Sequence, residues 1–152
     1  MERYEDIDTF ITYKKWVKAP LQKEGGELLR VFGLIYERDY DQDKDKGLKE
    51  TLIENYNSTT PKILNEAVWA KLDNTDSYNF NPGEFDKIGE VIGGKRDWQE
   101  LKLAFENEEE MEIPIITTLP DGKNHLVSGN TRLSVARALN IRPLVIFIEF
   151  PI

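Results

Sequence analysis

His125-Leu126-Val127-Ser128-Gly129-Asn130-Thr131-Arg132, continued by Leu133-Ser134-Val135-Ala136-Arg137-Ala138-Leu139, reads as a short strand, a glycine turn and a helix with an arginine in its first turn. Backbone N–H groups at a helix start have no intrahelical partner, and the peptide dipoles there sum to partial positive charge. A loop that enters such a helix beside an arginine can hold a phosphate or a carboxylate. Gly129 allows a positive φ or the close approach of a ligand, because it has no Cβ. Asn130 or Thr131 is expected to cap the helix through a side-chain oxygen. The plain alternative is that the turn is topology only, with Arg132 paired to an acidic neighbour.

Working outward, Ile113 to Leu119 is β-rich, and Pro120-Asp121-Gly122-Lys123-Asn124 is turn chemistry, so a hairpin precedes the helix. Val145 to Phe150 reads as a last strand. With the helices upstream, the fold class is α+β: a small mixed sheet with packed helices.

The run from Ile113 to Phe150 resembles the ParB/sulfiredoxin family. The likeness lies in Ile113-Pro114-Ile115-Ile116, the hairpin, a Gly-x-x-Arg loop opening an alanine-containing helix, then Asn140-Ile141-Arg142-Pro143 and the final strand. In that family the Gly-x-x-Arg loop binds nucleotide phosphates, so the resemblance implies a phosphate site at Gly129, Asn130, Thr131 and Arg132. Gly129 and Arg132 take the family's glycine and last arginine. Asn130 stands where sulfiredoxins have a catalytic cysteine and ParB proteins an acidic residue; Thr131 stands where they have histidine or the first arginine. The helix from Trp98 to Asn107 would be the one before Ile113, with Glu100 and Ala104 where the family often has Ser or Thr. ParB proteins carry a phosphate-contacting arginine shortly before that helix, which makes Arg96 the candidate second clamp; the alternative is a solvated loop cation. The resemblance implies residues 95–152 as a ParB/sulfiredoxin-like core and 1–94 as a mostly helical elaboration of one 152-residue domain. It stops before the helix-turn-helix and dimerisation regions of ParB proteins, so the expectation is a free-standing module rather than a whole chromosome-partition protein.

Composition narrows the chemistry. Twenty-eight acidic against twenty basic residues give a net charge of −8, so non-specific DNA binding by a whole face is disfavoured while a local basic site is not. With no cysteine, disulfides, thiolate metal sites and sulfiredoxin chemistry are excluded. No N-terminal apolar segment resembles a secretion signal, and Leu144 to Ile148 is too short to span a bilayer, so the expectation is a cytoplasmic protein without membrane attachment.

Upstream, Tyr13, Lys14, Lys15, Trp16 and Lys18 interleave lysines with aromatics, a pattern that grips single strands by charge and stacking. The favoured reading is a surface segment with its aromatics packed inward. Leu28 to Ile35 is core material whose period does not decide helix from strand. Asp39, Asp41 and Asp43, with Glu50 at position twelve, mimic a calcium loop, yet Lys44 occupies the position of the turn glycine and the lysines repel a cation. A solvated acidic loop is favoured. Leu48 to Tyr56 is expected to be a helix, and Thr60-Pro61 to start another with Ile63, Leu64, Ala67, Val68 and Leu72 on its apolar stripe. Asn81-Pro82-Gly83-Glu84 and Asp97-Trp98-Gln99-Glu100 both read as capping boxes, with Gly93-Gly94 stopping the helix between them. Trp16, Trp69 and Trp98 are the expected anchors.

His125 is the only histidine, which excludes a histidine-based metal cluster; with no recognisable partner spacing, a structural role is favoured. Asp121 and Glu149 are candidates to approach the loop and hold Mg²⁺ with a phosphate of ATP or CTP. Arg137 and Arg142 are expected to solvate or pair with carboxylates. Two functions follow as expectations. One is a module for nucleotide or nucleic-acid phosphates in DNA-related metabolism, extending to a Mg²⁺-dependent NTPase, phosphotransferase or nuclease. The other is a non-catalytic acidic interaction module that engages a basic protein partner or mimics nucleic acid.

Overall fold

The computed structural model describes residues 10–92 and 98–150. The fold is mixed α+β. A two-residue strand β1 (Trp16–Val17) and a 3-10 turn (Leu21–Glu24) lead into α1 (Gly25–Tyr36) and α2 (Lys46–Ser58). Next come β2 (Lys62–Ile63), α3 (Glu66–Ala70), a 3-10 turn (Ser77–Asn79), α4 (Phe85–Ile92) and α5 (Trp98–Glu106). The chain closes with β3 (Met111–Glu112), the hairpin β4 (Ile115–Thr118) and β5 (Asn124–Ser128), α6 (Asn130–Ala138) and β6 (Leu144–Ile148).

The main sheet has the order β2-β6-β4-β5. The pair β4–β5 is antiparallel, as the Pro-Asp-Gly turn demands, and Gly122 takes φ 87° at its tip. The pair β4–β6 is parallel, with α6 on the connection between them. A second, two-stranded sheet pairs β1 with β3 in parallel.

Side-chain alternation divides the sheet between two layers of helix. Ile115, Val127 and Ile146 face one way and pack on Val31, Phe32 and Ile35 of α1 and Leu52 and Tyr56 of α2. Ile116, Leu126 and Val145 face the other way, onto Leu133 of α6 and Trp69 of α3. The far side of α6 presents Val135, Ala136 and Ala138 to Phe80, Ile88 and Phe105. Covered on both sides, α6 buries every residue from Leu133 to Ala138. Each large apolar side chain so buried contributes about 1.5–3 kcal/mol. This packing fixes where the start of α6 sits.

Two expectations are corrected. The helix expected from Pro61 does not form there. Lys62 and Ile63 instead pair antiparallel with Val145 and Leu144 at the sheet edge, leaving Ile63 exposed, because the ladder on β6 offers backbone bonds that a helix start cannot match. The helix is deferred to Glu66, where the Asn65 side chain accepts from the Val68 N–H at 2.9 Å. The acidic segment 107–112, whose composition alone reads as a connector, contains β3, whose Met111 N–H donates to the Lys15 carbonyl at 2.8 Å. At 81–84 the returning Glu84 carboxylate accepts from the Asn81 N–H at 2.6 Å, yet Gly83 turns at φ 87° and α4 begins only at Phe85. Asp97 and Gly93-Gly94 lie outside the described residues. No helix among the described residues is long and apolar enough to cross a membrane.

Candidate functional site

Gly129 takes φ 106°, a conformation that L side chains rarely adopt. A Cβ there would stand 2.8 Å from Pro114 Cβ. The glycine is therefore dictated by the turn and by the chain crossing beside it. The cap position of α6 falls to Gly129, which has no side chain, rather than to Asn130 or Thr131 as expected. Asn130 is instead its first residue, and its Oδ1 accepts from Thr75 Oγ1 at 2.7 Å. Thr131 is buried. Arg132 Nη1 donates to the Glu112 carbonyl at 2.7 Å. Burial pulls the Arg132 guanidinium below its ordinary value, while the charges of Glu112 and Glu24 oppose that shift.

A hollow opens on each side of the Gly129–Arg132 wall. One, of about 470 Å³, carries Glu24, Glu109, Glu110 and Glu112 against Lys23 and Arg132. Its surplus of carboxylates repels an anion. The other, of about 380 Å³, is lined by the turn itself with Arg30, Arg132, Asn74, Glu24 and Glu27. Here the two arginines balance the two carboxylates. Ser128 Oγ, at the edge of this hollow, is buried and without a hydrogen-bond partner among the described residues. Leaving such a hydroxyl unmatched costs about 1–3 kcal/mol.

Residues that local sequence reading did not connect complete the second hollow. His125 Nδ1 lies 2.7 Å from Asp73 Oδ1, and its Nε2 lies 3.0 Å from Arg30 Nη1. An isolated bridge between Leu72 and Asn124 brings Asp73 beside His125. Asn74 pairs with both backbone groups of Leu126, accepting at 2.6 Å and donating at 2.7 Å. The signal in the sequence was the lone histidine on the strand and the polar run from Asp73; nothing there joined them.

Other candidates fall elsewhere. Arg96 lies outside the described residues. Asp121 sits at the hairpin tip, its carboxylate accepting from the Lys123 N–H, at the opposite end of β5 from Gly129. Glu149 lines a separate hollow with Lys62 and Phe147. Neither meets the loop, which corrects the Mg²⁺ pairing expected of them. In the acidic loop after α1, Asp45 accepts two guanidinium bonds from Arg38, each 2.8 Å, and Asp41 accepts from the N–H groups of Asp43 and Lys44. These carboxylates are engaged with the protein itself, and the described residues contain no group of three or more His, Cys, Asp or Glu side chains placed to hold a metal ion. Tyr13 and Trp16 pack edge-on against Phe105, while Lys14, Lys15 and Lys18 are exposed and Lys18 donates to the Asn57 and Thr59 carbonyls, so this is a surface segment with its aromatics packed inward, as expected. Arg137 is buried, donating to the Phe80 carbonyl at 2.8 Å and to Glu66 at 3.2 Å. Arg142 lies over the Phe10 ring, 4.3 Å from its centroid.

No family model, curated protein or solved structure matches the chain.

Proposed function

We propose that the chain is a ParB/sulfiredoxin-like module that binds a phosphate of a nucleotide or nucleic acid at the start of α6, with a role in DNA-related metabolism. One observation carries this reading: Arg132 and Arg30 line the same hollow, in front of a helix start whose cap residue is a glycine. The helix dipole and two guanidinium groups together suit a phosphate better than a carboxylate, whose single charge needs fewer donors. The hairpin, the Gly-x-x-Arg turn and the parallel β4–β6 pair support the family likeness. Glu24 and Glu27 are the carboxylates that line the same hollow. One or two carboxylates plus phosphate oxygens are what Mg²⁺ accepts, so these two would hold the ion that accompanies ATP or CTP. The ion would neutralise phosphate charge and make phosphotransferase, NTPase or nuclease chemistry feasible.

A thermal-shift panel of nucleotides and oligonucleotides, with and without Mg²⁺, tests the reading. Ligand-induced stabilisation is expected for at least one phosphate compound and is expected to vanish in Arg132→Ala. An equal shift in that variant would count against the site.

A second reading rests on the other hollow, where Glu24, Glu109, Glu110 and Glu112 outnumber Lys23 and Arg132. That surface, on a chain of net charge −8, suits a basic protein segment. Salt-sensitive capture of a basic peptide, with no shift for any nucleotide, would favour it.

A further inference from the structure

Arg30 projects from α1, and three groups define its surroundings. Its Nε donates to Glu27 at 2.9 Å, and its Nη1 lies 3.0 Å from His125 Nε2. His125 is only 5% exposed, and its Nδ1 meets Asp73 at 2.7 Å. A guanidinium has donors only, so Nε2 must accept, and the imidazole proton must sit on Nδ1 and donate to Asp73. The three side chains thus form a relay with one direction, from Arg30 through a neutral His125 to the Asp73 carboxylate. Asn74 Nδ2, 3.3 Å from the same Nε2, donates in the same sense.

Such an arrangement is more than an exposed arginine needs for stability. An ion pair like Arg30–Glu27, with side chains 43% and 50% exposed, is worth little by itself. A buried imidazole fixed by a carboxylate is the kind of support that locks a binding side chain in advance, so that less freedom is lost when the ligand arrives. Of the five guanidinium N–H groups, two are spent on Glu27 and His125, which leaves a fork able to bind a phosphate through two oxygens.

We propose that Arg30 is the second phosphate-contacting residue of the hollow before α6, held there by the Asp73–His125 pair and acting opposite Arg132. The assignment rests on the phosphate reading of that hollow. It gives α1, outside the stretch that resembles a known family, a direct part in the site.

The single histidine makes its imidazole nitrogens unambiguous ¹⁵N NMR observers. At about pH 8, where an ordinary imidazole is neutral, the free protein is expected to show the proton on Nδ1; a proton on Nε2 would overturn the relay. Two probes are titrated in turn: ATP with Mg²⁺, and a single-stranded oligonucleotide bearing a 5′-phosphate. Either should move the Nε2 resonance, and the probe that does so identifies the source of the phosphate. Arg30→Ala, at an exposed site that folding tolerates, should remove this response and weaken binding about tenfold or more. Arg30→Lys should restore it only in part, because an ammonium cannot span the imidazole and two phosphate oxygens together. If Arg132→Ala weakens binding while Arg30→Ala does not, the hollow keeps its phosphate and the Arg30 assignment falls. If neither probe binds the wild-type chain, or Arg132→Ala leaves binding intact, the underlying reading falls with it.

Discussion

Gly129→Ala separates what the fold asks of this glycine from what a ligand would ask. At φ 106° an alanine is forced into a sparsely populated backbone region, at a cost of about 1–3 kcal/mol. Its methyl carbon would lie 2.8 Å from Pro114 Cβ, 3.0 Å from Cγ and 3.2 Å from Cα. Pro114 is buried, and its carbonyl accepts from the Ile146 N–H at 3.0 Å, so the proline cannot withdraw without disturbing the β4–β6 ladder. Such overpacking costs about 1–3 kcal/mol. The narrower unfolded ensemble of alanine returns only about 0.4–1 kcal/mol. The expected net loss is about 3 kcal/mol, a large part of the stability of a domain this size. In melting temperature it corresponds to a fall of about 6–12 °C for a chain of this length.

Urea denaturation followed by circular dichroism reads the loss directly. Pro114→Gly, which removes the two closest of the three carbons, should relieve most of the clash but not the backbone strain, so the double variant should recover about half of the deficit beyond additivity. A Gly129→Ala loss below about 1 kcal/mol, or strict additivity with Pro114→Gly, would refute the account.

Three further outcomes follow from buried or charged contacts. Arg137→Met leaves Glu66 partly buried without its guanidinium partner and should cost about 3 kcal/mol by urea denaturation, whereas adding Glu66→Met should recover part of it. Asn65→Ala removes the cap of α3 and should cost about 1 kcal/mol, read as a fall of about 2–4 °C in melting temperature. The bidentate Arg38 contact, then the Asp41 N–H, hold the Asp45 carboxyl at about 2, below the ordinary 3.8. A depressed folded value means that the contribution is complete above about pH 4 and fades as pH falls through 2. Asp45→Asn should therefore flatten the acid limb of the stability profile between those limits, and an unchanged limb would show that the pair contributes nothing.

What the sequence made legible is what is local. The strand, the glycine turn and α6 are set by neighbours within a dozen residues, and they formed where the pattern put them. The hairpin was equally clear, because Asp121-Gly122 permits few other conformations. Ile63 and Leu64 misled because their spacing suits a helix equally well, and only pairing with β6, some eighty residues onward, decides for a strand. Leu28 to Ile35 offered no period to decide on; burial of Val31, Phe32 and Ile35 against the sheet selects a helix and leaves Leu29 and Leu34 exposed. The relay of Asp73, His125 and Arg30 was hidden for the same reason, since its contacts span 52 and 95 residues of sequence. No short motif encodes such a meeting.

The two hollows beside Arg132 also make the two functional readings separable on one wall. An anion approaching from the side of Glu109 and Glu110 meets four carboxylates and two cations; from the side of Arg30 it meets equal numbers of each, plus the helix start. Charges closer to a ligand than the Debye length of about 8 Å are only partly screened at physiological salt. A phosphate should thus enter beside Arg30, and a basic segment beside Glu109. Glu109→Gln combined with Glu110→Gln tests this directly. Both side chains are exposed, so folding should be unaffected. The Tyr13 hydroxyl bonds the Glu109 carbonyl, which the substitution keeps. Nucleotide-induced stabilisation should stay the same or rise slightly, while binding of a basic peptide should weaken roughly fivefold, about 1 kcal/mol. Loss of the nucleotide shift in the double variant would place the phosphate, or its metal ion, on the acidic side and reverse the assignment of the two faces.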